Sequence, residues 1–153
     1  MKKILIIVVS ATLPFLAGAQ EIKPYFSALF VRNVDSSVAW YSKVLKMKVR
    51  NRTDAPERGF RQVNLTGDGL LIELIEVDSS LSEERILADQ PPKTRIRGFT
   101  KFGLVVEDID KLFAKLKEQH IKFTGRMVTD PVNNKRTFLV NDPDDNLVQF
   151  FEK

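Results

Sequence analysis

Apolar and polar residues alternate with period two along much of this chain, and two stretches instead repeat their apolar residues at helical spacing. The strand-like run YFSALFVRN leads into the helical stretch SVAWYSKVLK, and three more alternating runs follow, MKVRNRT, FRQVNLT and LLIELIEV. The turn-forming segments DAPERG and GDG separate these runs. The first half of the sequence therefore predicts the element order βαβββ.

The same order returns in the second half, after a polar segment. Residues 78–97 contain adjacent prolines and few apolar residues, so we predict a linker there. Positions then recur at an offset of 75 residues, such as Leu29 with Leu104 and Val31 with Val106. Because repeated units usually close a common core, we predict one α+β domain. Its two βαβββ modules, residues 24–77 and 98–153, would form a curved mixed sheet around a cleft.

Alternation along the strands also predicts which side chains face this cleft. Leu29 and Val31 form the helix-packing set of the first strand, so their neighbours point to the other face. The same reasoning applies to the remaining strands. The predicted ligand-binding cleft is lined by Phe26, Phe30, Leu71, Glu73, Lys101, Gln149 and Phe151.

A basic stretch, KMKVRNR, is predicted to place Lys48, Arg50 and Arg52 on one face of the second strand. Two interpretations stay open. Charges on an outer strand discourage aggregation between sheets, and a basic rim beside a cleft attracts anionic ligands.

The first nineteen residues have the layout of a secretory signal peptide. Lys2 and Lys3 precede an apolar run, and Ala17-Gly18-Ala19 forms a small-residue cleavage site. The apolar run is too short and interrupted for a membrane span of about 20 residues. We predict export to the periplasm or exterior, a mature domain of residues 20–153, and no membrane partner after cleavage. An uncleaved anchor is the alternative.

Composition narrows the chemistry. The chain has no cysteine and one histidine, which excludes disulfides, thiol nucleophiles and most metal sites built from thiolates or imidazoles. Without Lys2 and Lys3 the formal net charge falls from +4 to +2. A nucleic-acid-binding protein is usually more basic, so we predict no nucleic-acid partner.

The sequence resembles the vicinal oxygen chelate superfamily, which includes glyoxalase I, extradiol dioxygenases, fosfomycin-resistance proteins and bleomycin-binding proteins. The likeness runs from Tyr25 to Phe151 and rests on VRNVDSSVAWYSKVLKMKV, GLLIELIEV, FGLVVEDIDKL and NDPDDNLVQF. The last stretch is similar to the family's Asp-Pro-Asp-Gly-Asn-x-x-Glu. The chain departs from the family pattern at Asn33, Lys46 and Asp145.

The resemblance also implies where a metal would bind. Metal-binding members carry a histidine in the first strand of each module and a glutamate in the last. By position these places hold Phe26, Glu73, Lys101 and Gln149. Only Glu73 is a good ligand, since a phenyl ring cannot coordinate and an ammonium repels a cation. We therefore expect no metal and no cofactor, and an ion pair between Lys101 and Glu73.

Two functions remain open. The first is metal-independent binding of a small anionic or amphiphilic molecule by an exported homodimer. The second is a metal-dependent lyase similar to glyoxalase, or a dioxygenase, that uses Glu73. The sequence predicts no catalytic residue for either function.

Overall fold

The structure is a computed structural model that describes residues 23–153. The predicted signal peptide lies outside the described residues. The elements within this range are β1 (Ser27–Phe30), α1 (Val34–Leu45), β2 (Lys48–Ala55), β3 (Phe60–Gly67), β4 (Leu70–Val77), α2 (Glu83–Leu87), β5 (Lys101–Val106), α3 (Ile109–Glu118), β6 (Phe123–Thr129), β7 (Arg136–Asn141) and β8 (Leu147–Glu152). Between residues 23 and 153 no helix is both long and apolar enough to cross a membrane.

The strands form two four-stranded sheets with the same connectivity. Their orders are β1-β4-β3-β2 and β5-β8-β7-β6, with β1 parallel to β4 and β5 parallel to β8. Ala28 lies opposite Glu73 in the first sheet, and Gly103 lies opposite Gln149 in the second. The two predicted modules are therefore equivalent in register. This confirms the α+β fold of two βαβββ modules.

Both main helices begin at equivalent capping residues. The Asn33 side chain accepts a hydrogen bond from the Ser36 N–H at 2.9 Å, and Asp108 accepts one from the Lys111 N–H at 2.9 Å. Each cap satisfies a donor that the first helical turn leaves unpaired. The caps fix where α1 and α3 start, so that their apolar faces lie on the sheets.

Two apolar clusters form the core between the helices and the sheets. Module one contributes Val31, Val34, Tyr41, Met47, Val63, Leu65, Ile72 and Leu74. The second cluster contains Val44, Ile109, Leu116, Phe138, Val140, Val148 and Phe150. Trp40, Leu45 and Phe102 pack against both clusters. The modules therefore share one continuous core.

The turn between β7 and β8 ties module two to α1. Asp142 is 4% exposed and accepts hydrogen bonds from the N–H groups of Asp144 and Asn146 and from the Asn146 side chain. The Tyr41 hydroxyl donates to Asp142 Oδ2 at 3.0 Å, and Asp144 accepts from the Arg32 N–H at 3.0 Å. The turn predicted from NDPDDN is thus also a contact between modules.

A β-bulge at Arg50 interrupts β2. Lys48 precedes and Arg52 follows a shift of register between Val49 and Asn51. The additional residue of a bulge reverses the alternation of side chains beyond it, so Lys48 and Arg52 lie on opposite faces of the sheet. The prediction that Lys48, Arg50 and Arg52 share one face is therefore wrong.

The predicted linker contains a helix. Ser82 caps α2 by accepting a hydrogen bond from the Arg85 N–H at 3.3 Å. A serine followed by two glutamates is a helix-start signal. The linker therefore carries local structure that its prolines and polar composition did not predict.

Candidate functional site

A cavity of about 260 Å³ lies between β1 and β5, the edge strands of the two sheets. Its wall is mostly apolar, with three longer polar side chains, as in pockets that bind small organic molecules. The lining residues are Phe26, Ser27, Ala28, Leu29, Phe99, Thr100, Lys101, Phe102, Asn146 and Leu147. Two predicted cleft residues, Phe26 and Lys101, are therefore brought together here.

Lys101 supplies the positive charge of this cavity. It is the first residue of β5, its side chain is exposed, and it forms no ion pair with any residue in the range 23–153. The expected ion pair with Glu73 is not formed, because Glu73 lies on β4 of the other sheet, one strand behind the cavity. The ammonium group thus has no counter-charge within the described chain.

Glu73 and Gln149 occupy equivalent places on the sheet faces opposite to the helices. The Glu73 side chain is half-buried and has no hydrogen-bond partner among the described residues. Gln149 is 5% exposed, and its Nε2 donates to Thr137 Oγ1 at 2.9 Å. The two positions match by register, but one holds a carboxylate and the other an amide anchored within its own sheet.

The remaining predicted cleft residues are dispersed. Phe30 is 64% exposed and lines a second cavity of about 930 Å³ beneath the linker. Leu71 is only 8% exposed, which leaves little of its surface for a ligand. The Phe151 ring lies beside Gly103, where an added Cβ would meet Phe151 Cε2 at 3.4 Å. Phe151 therefore belongs to the face that Gln149 occupies.

The predicted basic rim is divided between the two faces of its sheet. Lys48 and Arg50 are exposed on either side of the bulge. Arg52 instead contacts Asp35 at the start of α1, with 2.6 Å between Nη2 and Oδ1. The hydrogen bond from Arg52, followed by that from Arg61, lowers the pKa of the Asp35 carboxyl. Arg52 is thus committed to a helix terminus rather than to a ligand.

Sequence reasoning missed three cavity residues. Phe99 and Thr100 immediately precede β5, and Asn146 closes the turn before β8. The parallel pairing of Lys101 with Leu147 brings these segments together. Their position at the entry of two parallel neighbouring strands was the available signal.

The side chains present do not fit a divalent metal. Phe26 and Lys101 stand at the places that the resemblance assigns to imidazoles, and the Gln149 amide is held by Thr137. Nowhere in residues 23–153 do three or more His, Cys, Asp or Glu side chains group as a metal site. The histidine, His120, lies exposed beyond the end of α3. Glu73 alone retains the chemistry of a ligand.

Comparison with known proteins gives the family. The model of the Glyoxalase/Bleomycin resistance protein/Dioxygenase superfamily matches residues 23–150. The chain belongs to this superfamily. The uncharacterized protein YwbC of Bacillus subtilis (strain 168) is 26% identical over 131 residues, which cover 83% of this chain and 94% of that protein.

Solved structures share the fold at low sequence identity. A glyoxalase family protein from Enterococcus faecalis has a TM-score of 0.69 at 20% identity, covering 87% of this chain and 98% of its own. A glyoxylase/bleomycin resistance protein/dioxygenase domain from Frankia sp. EAN1pec has a TM-score of 0.66 at 21% identity, with coverages of 87% and 93%. The trypanothione-dependent glyoxalase I of Leishmania major has a TM-score of 0.62 at 20% identity, with coverages of 86% and 87%. These likenesses concern the fold alone.

Proposed function

We propose that this protein binds a small anionic amphiphile in the cavity between β1 and β5, without a divalent metal. The observation that carries the proposal is the unpaired Lys101 ammonium at the wall of a largely apolar cavity. A volume of about 260 Å³ is below the usual range for drug-sized ligands. The ligand would therefore be a small molecule whose apolar part packs against Phe26 and Phe102.

The chemistry of the cavity favours a carboxylate or phosphate over a cation. An ammonium group donates up to three hydrogen bonds and accepts none, and none of the residues lining this cavity is acidic. A hydrogen bond involving a charged group contributes about 1.5–3 kcal/mol. Loss of the Lys101 ammonium should therefore weaken anion binding by about ten- to a hundredfold.

The test is a thermal-shift screen of small aryl and alkyl carboxylates and phosphates, followed by calorimetric titration of the best binders. Lys101→Met should reduce the affinity for anions and leave the binding of the corresponding neutral amides unchanged. Lys111→Met is the matched control, because Lys111 is an exposed lysine on α3 and lies outside the cavity. If no anion binds the wild type, or if Lys101→Met and Lys111→Met bind alike, the proposal fails.

The second candidate is a metal-dependent lyase or dioxygenase, and the half-buried, unpartnered Glu73 carboxylate favours it. It would need further ligands that the other three family positions do not supply. Stoichiometric metal that depends on Glu73 would select this alternative.

We propose further that the protein acts outside the cytoplasm as a homodimer. The layout of residues 1–19 supports export. The open sheet faces support association, since Phe30 and Val105 expose 64% and 62% of their surface, and exposed apolar patches often mark interaction sites. Sedimentation equilibrium of residues 20–153 tests the assembly, and a monomer at micromolar concentration would contradict it.

A further inference from the structure

The orientation of the Gln149 amide is fixed by its neighbour Thr137. The Thr137 hydroxyl donates to the Phe150 carbonyl oxygen at 2.7 Å. A hydroxyl carries one proton, and a carbonyl oxygen only accepts. Thr137 Oγ1 must therefore accept its second hydrogen bond, at 2.9 Å, from Gln149 Nε2. This turns Gln149 Oε1 away from β7.

Gln149 Oε1 has no partner of its own. It accepts no hydrogen bond from any residue between 23 and 153. It is also not sealed from solvent, because Gln119 Oε1 is the buried side-chain atom of the described chain that lacks a partner. Gln149 as a whole is 5% exposed. A nearly buried side chain thus presents a fixed acceptor through a narrow opening.

The register brings this acceptor near Lys101. Lys101 pairs with Leu147, and Gly103 pairs with Gln149, so Lys101 and Gln149 share one face of adjacent parallel strands. Two residues along a strand span about 6.6 Å, and neighbouring strands lie about 4.8 Å apart. Gly103 has no side chain to fill the space between them, and the Phe151 ring borders that space. One small molecule can therefore reach both groups.

We infer that Gln149 Oε1 selects ligands that carry a hydroxyl or amino donor in addition to the anionic group. The ligand class is then a substituted acid, such as a hydroxy acid, rather than a simple carboxylate. Gln149 is the specificity-determining residue and Thr137 is the positioning residue. The inference rests on the proposed anion site at Lys101, which supplies the other anchor.

The experiment compares three probes by calorimetric titration of the full mature chain: 3-phenylpropanoate and its 2-hydroxy and 3-hydroxy derivatives. At least one hydroxy acid should bind about two- to tenfold more tightly than the parent acid. Gln149→Leu should abolish this preference and retain the binding of the parent acid. Thr137→Val should reduce the preference, and Thr137→Ser, which keeps the hydroxyl, should restore it.

The outcomes separate this inference from the proposed function. Equal affinities of the wild type for all three probes, with binding still dependent on Lys101, would overturn the role of Gln149 and leave the anion site intact. An unchanged preference in Gln149→Leu would do the same. If none of the three acids binds the wild type, the anion site and the inference fall together. The comparison of probes on the wild type does not depend on the folding of any variant.

Discussion

Arg61 and Arg136, 75 residues apart, make the same contact in their two modules. Arg61 Nη2 lies 3.1 Å from Asp35 Oδ2 in the first turn of α1, and Arg136 Nη1 lies 2.9 Å from Asp110 Oδ2 in the first turn of α3. In each module the arginine also reaches a glutamate near the end of the last strand. The duplication has therefore kept an ion-pair network that ties each helix start to its sheet.

This network predicts a loss of stability in acid. Hydrogen bonds from the N–H and guanidinium of Arg136 lower the pKa of Glu152. A carboxyl whose pKa is lower in the folded state stabilises the fold above its unfolded pKa of about 4.3. That contribution disappears as the pH falls through the lower folded value. The free energy of unfolding should therefore decline below about pH 4.3, and less steeply in Glu152→Gln.

Urea unfolding between neutral pH and pH 3 measures this slope. Glu118→Gln is the control, because Glu118 is an exposed glutamate without an ion pair among the described residues. Equal pH dependence in Glu152→Gln and the wild type would show that the network does not couple stability to pH.

The contact between Tyr41 and Asp142 predicts a stability effect at neutral pH. Burial raises the pKa of both the Tyr41 phenol and the Asp142 carboxyl. Tyr41→Phe removes one donor from a buried acceptor, and hydrogen bonds to charged groups contribute about 1.5–3 kcal/mol. The free energy of unfolding should fall by that amount. Tyr25→Phe, at a tyrosine that is 71% exposed, should leave it unchanged, and equal effects of the two substitutions would refute the assignment.

The donor set predicts the metal content. Protein purified from its native host and dialysed should carry no stoichiometric zinc, nickel, manganese or iron, because Phe26 and Lys101 replace the expected imidazoles. Elemental analysis gives the answer directly. A metal that survives dialysis in the wild type and is lost from Glu73→Ala would overturn this prediction.

The N-terminal layout predicts the processed form. Cleavage after Ala17-Gly18-Ala19 should yield a mature chain that begins at Gln20. Intact mass spectrometry of the protein from its native host measures the end point. Recovery of a chain that still begins at Met1 or Lys2 would contradict export by this route.

Local alternation predicted more of the fold than of the site. Period two correctly separated Leu104 and Val106, which pack in the core, from the exposed Val105. It failed at Arg50, where a bulge reverses the alternation without a glycine or proline to signal it. The repeat placed Lys101 correctly by position. Sequence spacing does not give the distance between sheets, so the ion pair with Glu73 was predicted wrongly.

Contacts between distant segments were out of reach for the same reason. Tyr41 was recognisable as a core residue from its helical spacing, and Asp142 as a turn residue from its neighbours. Their hydrogen bond spans 101 positions, and neither local pattern contains information about the other. The acceptor at Gln149 likewise depends on which proton Thr137 shares, which is decided by strand pairing.

The turn between β7 and β8 makes the two halves non-interchangeable. Gln62 and Thr137 are 75 residues apart, whereas their strand partners Ile75 and Phe151 are 76 apart. The extra residue therefore lies in the turn of module two, the same turn whose Asp142 takes the Tyr41 hydroxyl. A chain assembled from two copies of module one would repeat every strand and helix. It would carry only the short turn at Asp68 and would have no carboxylate with which to fasten its second copy to its first.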